Sequence, residues 1–261
     1  VKAAVLAIPD WRFLFYMMSF ALFVMISAAL LVHERLPHVT DEMAYLFQAK
    51  AFSQGSLGLP GRFPEFFRPH FFYQAENGSG LLYSLFQPGW PAVLTLGIWL
   101  GAPWLINPLL SVVWLVPIFV LARREFGQGV ARLALLILVV SPFYLFMGAS
   151  FMSHPLAALL TTWAIERALA LRREKRAAIA LALGLFVGAL ALVRIYNALL
   201  LAALIALYFG IVALRSWRMR QAIEWPALRL ALWVFLPFAL GLGLQARSEE
   251  HTSELQSHLN L

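Results

Sequence analysis

Acidic side chains are scarce in this 261-residue chain, and one doublet among them stands out. Of 13 acidic residues, three lie beyond Ala246, and five of the remaining ten fall between positions 34 and 86: Glu34, Asp41, Glu42, Glu65 and Glu76. Up to Ala246 the aspartates are Asp10 and Asp41, and Asp41-Glu42 is the one adjacent carboxylate pair. A carboxylate can take the proton of a hydroxyl nucleophile as it attacks, or bind a hard divalent cation through oxygen. The plainer role is electrostatic, because acids in the first turn of a helix complement its dipole. Thr40 just before the pair reads as an N-cap and Gly55 as a C-terminal stop, which predicts a short helix over 41–54. Met43, Leu46, Phe47 and Ala51 form an apolar stripe on it, so the helix is expected to lie on a membrane surface.

Three further groups have the right chemistry to act with that pair. His154, in Ser153-His154-Pro155, could hydrogen-bond a substrate hydroxyl or phosphate or ligate a metal; equally, it could be a histidine opening a helix at the interface. Arg194 ends a long apolar run and is followed by Ile195-Tyr196-Asn197. A fixed guanidinium there suits a phosphate, with snorkelling to lipid headgroups as the structural alternative. Arg68, His70 and Tyr196 are further phosphate or acceptor contacts. Phe63, Phe66, Phe67, Phe71, Phe72 and Tyr73 are expected to anchor their loop in the membrane interface. Asp41, Glu42 and His154 are the candidate ligands for a divalent cation such as Mg or Mn.

The elements that must carry these residues are membrane helices. The apolar set makes up 62% of the chain, charged residues 13%, and mean hydropathy is +0.78. Soluble domains run at about 45–50% apolar and about 25% charged, so a soluble enzyme and a disordered chain are both excluded. The absence of cysteine removes disulfides and thiolate chemistry. A net charge of +7 fits basic loops against anionic lipid better than nucleic-acid binding. Runs of about 20 apolar residues span a bilayer. They predict spans at 13–33, 104–122, 130–149, 155–171, 177–193, 197–214 and 228–245, with 34–86 as a large polar and aromatic loop. The fold class is therefore all-α, a polytopic transmembrane bundle whose first outer loop carries short interfacial helices.

Basic clusters orient the bundle, since Lys and Arg in short loops stay cytoplasmic. They lie at Lys2/Arg12, Arg123/Arg124, Arg172/Arg173/Lys175/Arg176 and Arg215/Arg218/Arg220. All four fall on one side only if 87–122 crosses once, with 89–101 re-entrant or interfacial. Loop 34–86, the turn at 150–155 and Arg194 then share the outer face.

Thr40-Asp41-Glu42-Met43-Ala44-Tyr45-Leu46-Phe47-Gln48-Ala49, placed just after a first span, resembles the first outer loop of GT-C-type membrane glycosyltransferases, the superfamily of protein O-mannosyltransferases and the lipid A aminoarabinose transferase. Gln87-Pro88-Gly89-Trp90-Pro91, Asn107-Pro108-Leu109-Leu110, Ala122-Arg123-Arg124-Glu125-Phe126-Gly127, Ser141-Pro142-Phe143, Ser153-His154-Pro155-Leu156 and Gly184 to Arg194 resemble successive family segments. The resemblance covers roughly 13–214. It implies an inverting transfer of a sugar from a polyprenyl-phosphate donor to a lipid, glycan or protein acceptor. The reaction would take place at the outer face of the cytoplasmic (inner) membrane, among membrane lipids and without nucleic acid. It implies Asp41 as base or acceptor-positioning group, and Glu42 as its support or as a cation ligand. His154 stands where relatives often carry an acid, which leaves the sugar undefined. A transporter or flippase of lipid-linked substrates, or a non-catalytic scaffold, is the alternative class. A transporter would place ionisable groups at mid-membrane on broken helices.

The string from Arg247 to His258, RSEEHTSELQSH, resembles a translated sequencing adapter. Residues 247–261 are accordingly expected to be a non-native tail on a partial GT-C-like domain at 1–246, which would lack its later helices and be inactive as it stands.

Overall fold

The computed structural model describes residues 8–60, 71–74, 81–218 and 236–243. The expectations for Arg68, His70, Phe63, Phe66, Phe67 and the tail at 247–261 fall outside those residues, as does most of 228–245. The chain divides into two compact units, one running to Leu159 and the other beginning at Leu160.

In the first unit, helix α1 (Asp10–Leu31) is followed by α2 (Thr40–Ser53) and by three short strands, β1 (Leu59–Pro60), β2 (Phe72–Gln74) and β3 (Leu81–Ser84). Then come α3 (Gly89–Trp99), a 3-10 turn at Pro103–Leu105, α4 (Ile106–Phe126), α5 (Gln128–Val139) and α6 (Pro142–Ala149). Helix α7 (His154–Arg173) leads into the second unit, with α8 (Ala177–Val193), α9 (Ile195–Arg218) and a helical segment at 236–243. The first unit's core is apolar side chains of α1, α4, α5 and α6, among them Phe13, Met25, Leu115, Phe119, Leu135 and Tyr144.

Among the described residues, three helices are long and apolar enough to cross a membrane: Asp10–Leu31, Pro103–Phe126 and Ile195–Arg215. The expectation of seven uninterrupted spans is corrected in three places. The run at 130–149 is broken into α5 and α6, bent by 62° and countable as one span only if the pair is joined. Ser141 is extended (φ −70°, ψ 119°) because Pro142 disfavours a helical residue before it and brings no N–H of its own. Helix α7 falls short because Glu166, Arg167, Arg172 and Arg173 dilute it, and α8, at 17 residues, is short for a full crossing. Glu166 is itself buried at 1% exposure and pairs with Arg167.

The helix ends of the first unit gather in two groups. At one end of the first unit, Asp10 accepts from Gln128 (2.8 Å) and pairs with Arg123 (2.7 Å) and the buried Arg132 (2.6 Å). The start of α1, the end of α4 and the start of α5 therefore lie together. Helix α3 begins and ends at the other end. At 11 residues it is only about 16 Å long, half a hydrocarbon core. Trp90 Nε1 at its start donates to the Phe151 carbonyl (2.8 Å), and Trp99 Nε1 at its end donates to Ser53 O (3.3 Å). Gly101 (φ 71°) closes it in a Schellman turn, with Gly101 N–H to Ile98 O and Ala102 N–H to Gly97 O. Gly97 lets the chain fold straight back: a Cβ there would stand 2.6 Å from the Pro103 Cα.

The first loop differs from the expected set of surface helices. It contains one described helix, α2, and an antiparallel sheet ordered β1-β3-β2, with Leu59 opposite Leu82 and Phe72 opposite Ser84. Phe72 is not an interface anchor. It is 7% exposed and meets Phe47 edge-on, ring centres 5.3 Å apart.

Candidate active site

Helix α2 carries the carboxylate doublet, and its burial differs from the sequence expectation. The buried face is Glu42, Ala44, Tyr45, Gln48, Ala49 and Ala51, while Met43 is 48% exposed. Small and polar side chains are buried because α3 packs closely against this face: Thr95 Oγ1 donates to Ala49 O (3.2 Å). Gln48 ties the helix to the sheet loop by donating to Leu57 O (2.5 Å) and accepting from Ser84 N (2.9 Å). The helix is thus docked rather than floating on lipid. Val39, extended at φ −122°, takes the N-cap place expected of Thr40, which is the first helical residue. Gly55 (φ 70°) ends the helix as expected, with Gly55 N–H to Phe52 O and Ser56 N–H to Ala51 O.

The two carboxylates of the doublet have separate surroundings. Glu42 is 3% exposed; its Oε2 accepts from the His38 backbone N–H (2.7 Å) and its Oε1 from the Phe151 N–H (3.1 Å). Reaching back over the helix start, it does much of what a capping-box glutamate does. Asp41 is half-buried and, among the described residues, makes no hydrogen bond or ion pair. Of the two, Asp41 is the carboxylate that the fold does not engage.

The segment reached by Glu42 leads directly into His154, which opens α7 and is half-buried. Its other anchors were missed from sequence: Trp90, Asn107 and Tyr45. Asn107 Nδ2 donates to the carbonyls of Ser150 (2.6 Å) and Met152 (2.8 Å), and Tyr45 Oη meets Ser153 Oγ at 3.3 Å. A polar signal was present, since an asparagine or indole N–H at the start of an apolar helix needs a buried partner.

His33 and His38 lie beside Glu42, ring centres 5.2 Å apart, and His38 Nε2 is 2.9 Å from His33 O. Burial lowers the His33 pKa, with Glu42 opposing and His38 adding to the effect. A histidine favoured in its neutral form contributes stability that is complete above about pH 6.5 and lost as pH falls through its depressed folded-state value. The melting temperature is therefore expected to drop between pH 7.5 and 5, and by less in His33→Gln; equal drops in both proteins would remove His33 from the effect.

Both Glu42 oxygens are engaged by backbone N–H groups, and among the described residues no cluster of three or more His, Asp or Glu could hold an ion.

Arg194 and Tyr196 belong to the second unit, whereas Asp41, Glu42 and His154 belong to the first. Arg194 is the break between α8 and α9, extended at φ −152° and ψ 93°. Its N–H donates to Leu190 O (2.7 Å) and its carbonyl accepts from Ala198 N (3.1 Å), so one residue closes one helix and opens the next. Among the described residues its guanidinium has no ion-pair or hydrogen-bond partner. Tyr196 is 81% exposed. In the same unit Arg167 lies over Trp163 (5.5 Å), which stacks on Phe186 (6.0 Å).

Residues 80–242 match the Alg9-like mannosyltransferase family. No curated protein and no solved structure matches the chain. The matched span includes Trp90, Asn107, His154 and Arg194 but begins after the Asp41-Glu42 doublet. Membership of an enzyme family settles the choice against a transporter or a scaffold. With its apolar helices, a match over more than half of its length places this chain in the Alg9-like mannosyltransferases, a GT-C-type family of membrane glycosyltransferases.

Proposed function

We propose that the protein transfers a sugar from a polyprenyl-phosphate donor to an acceptor hydroxyl at the extracytoplasmic face of the cytoplasmic membrane. The observation that carries this reading is the division of labour in the doublet: Glu42 is engaged in the fold while Asp41 is left free. Arg123 and Arg132 gather around Asp10 at the start of α1, the basic end that the positive-inside rule assigns to the cytoplasm, whereas the helix carrying Asp41 follows the other end of α1, which supports an outer site. Asp41 accepts the proton as the acceptor oxygen attacks the anomeric carbon. The bond from that carbon to the phosphate oxygen breaks, and the leaving phosphate carries the negative charge. Attack opposite the leaving group inverts the anomeric centre. A delocalised guanidinium such as that of Arg194 suits the charge of a leaving phosphate better than an ammonium. His154 hydrogen-bonds the acceptor or the phosphate, with Arg68, His70 and Tyr196 as further contacts. A divalent cation is not required by this scheme.

Two measurements test it. The full-length protein in membranes should transfer mannose from polyprenyl-phosphate mannose, and failure on every lipid-linked donor would overturn the reading. A reporter fused after Arg124 should read cytoplasmic, with its signal above that of the same reporter placed at Gly55; a reversed pair would put the doublet on the wrong face.

A further inference from the structure

We propose that Trp90 and Asn107 are positioning residues for sugar transfer, clamping residues 150–153 so that His154 is held in register with the helix that carries Asp41. This deepens the reading above and rests on Asp41 and His154 acting on substrate. A connection between two helices ordinarily faces water and satisfies its backbone there. Here it is buried: Ser150, Phe151 and Ser153 are 4%, 2% and 0% exposed. Its polar groups are taken by side chains from three other elements. Trp90, fully buried on α3, holds the Phe151 carbonyl, and Glu42 on α2 holds the Phe151 N–H. Asn107 on α4 spans Phe151 by donating to the carbonyls on both sides of it.

The Asn107 amide shows how strongly the arrangement is imposed. Its residue is 1% exposed, and while both donor bonds are made, its Oδ1 is buried without a hydrogen-bond partner. An orphaned buried acceptor is unfavourable, so the orientation is set by the two carbonyls it grips. Because Glu42 adjoins Asp41 and Ser153 adjoins His154, the clamp fixes the two reactive side chains relative to each other within the first unit. Both clamp residues lie inside the family-matched span.

The test uses Trp90→Phe, which keeps an aromatic ring but removes the N–H and part of the indole's volume, and Asn107→Asp, which keeps the shape and removes both donors. Each is assayed in the full-length membrane-embedded protein with polyprenyl-phosphate mannose as donor. A misplacement of about 1 Å costs up to about 100-fold in rate, so kcat should fall about 10- to 100-fold. The donor KM should stay within about twofold, the pattern of a contact felt only in the transition state. In an Asp41→Asn background, Trp90→Phe should cost far less than it does alone, because residues acting as one unit are not additive. A merely structural role would give multiplicative losses. A folded Trp90→Phe enzyme with kcat within about twofold of wild type, or fully multiplicative losses where Asp41→Asn itself lowers kcat, overturns the proposal. Should Asn107→Asp fail to fold, Trp90→Phe decides. If Asp41→Asn is fully active while Trp90→Phe still lowers kcat, the Asp41 assignment fails and the clamp stands, acting through His154.

Discussion

Replacing Asp41 by Asn should abolish most sugar transfer while leaving the protein as stable as before. General-base assistance by a positioned carboxylate contributes typically about 10²- to 10⁴-fold, and kcat should fall by that order. Asparagine has nearly the same shape but cannot take the proton. The stability half of the expectation follows from the surroundings: among the described residues Asp41 makes no hydrogen bond or ion pair, and it is only half-buried. Substitutions away from such features usually shift stability by about 0.5 kcal/mol or less. Thermal unfolding in detergent should therefore match wild type while transfer from polyprenyl-phosphate mannose collapses. Undiminished transfer would remove Asp41 from the chemistry. A large fall in melting temperature would instead mean that it is a structural acid like its neighbour.

The contrast between the two acids marks the limit of what could be read from the chain. The membrane class, the short helix after the first span and the returning turn at 89–101 all follow from composition, spacing and the positions of arginines. These are local or additive properties. The face on which α2 is buried is not local. Periodicity groups Met43, Leu46, Phe47 and Ala51 as a stripe toward lipid, yet only Met43 of the four is exposed, and the helix turns Glu42, Tyr45 and Gln48 inward because α3 folds back against it. That return depends on Gly97 and Gly101, residues outside any periodicity window applied to α2. Trp90 and Asn107 were visible as motif members, but their partners are backbone groups of residues 150–152, which carry no side-chain signature. The break at Pro142 was legible from the proline itself and was missed by counting apolar residues alone. The small sheet pairs segments 59–60, 72–74 and 81–84, whose strands are too short for period-two alternation to show.

Glu42→Leu should unfold the first unit far more readily than any change at Asp41. Leucine is close in volume and suits the buried site, so packing is largely kept and the hydrogen bonds are the main loss. The two N–H groups now engaged by the carboxylate, those of His38 and Phe151, would be left without an acceptor in an environment where Glu42 is only 3% exposed. An orphaned buried donor costs about 1–3 kcal/mol, and two together about 2–6 kcal/mol, a large share of a typical domain's stability. Glu42→Gln should lie between: its amide oxygen can serve one N–H, but its NH₂ then faces the other donor. The ordering of melting temperatures, wild type above Glu42→Gln above Glu42→Leu, separates a latch from a catalytic acid. A catalytic acid would lose activity equally in both variants and leave the melting temperature alone. Equal melting temperatures in all three proteins, with activity lost, would make Glu42 a second reacting group, and the locked geometry around Phe151 would then need another support.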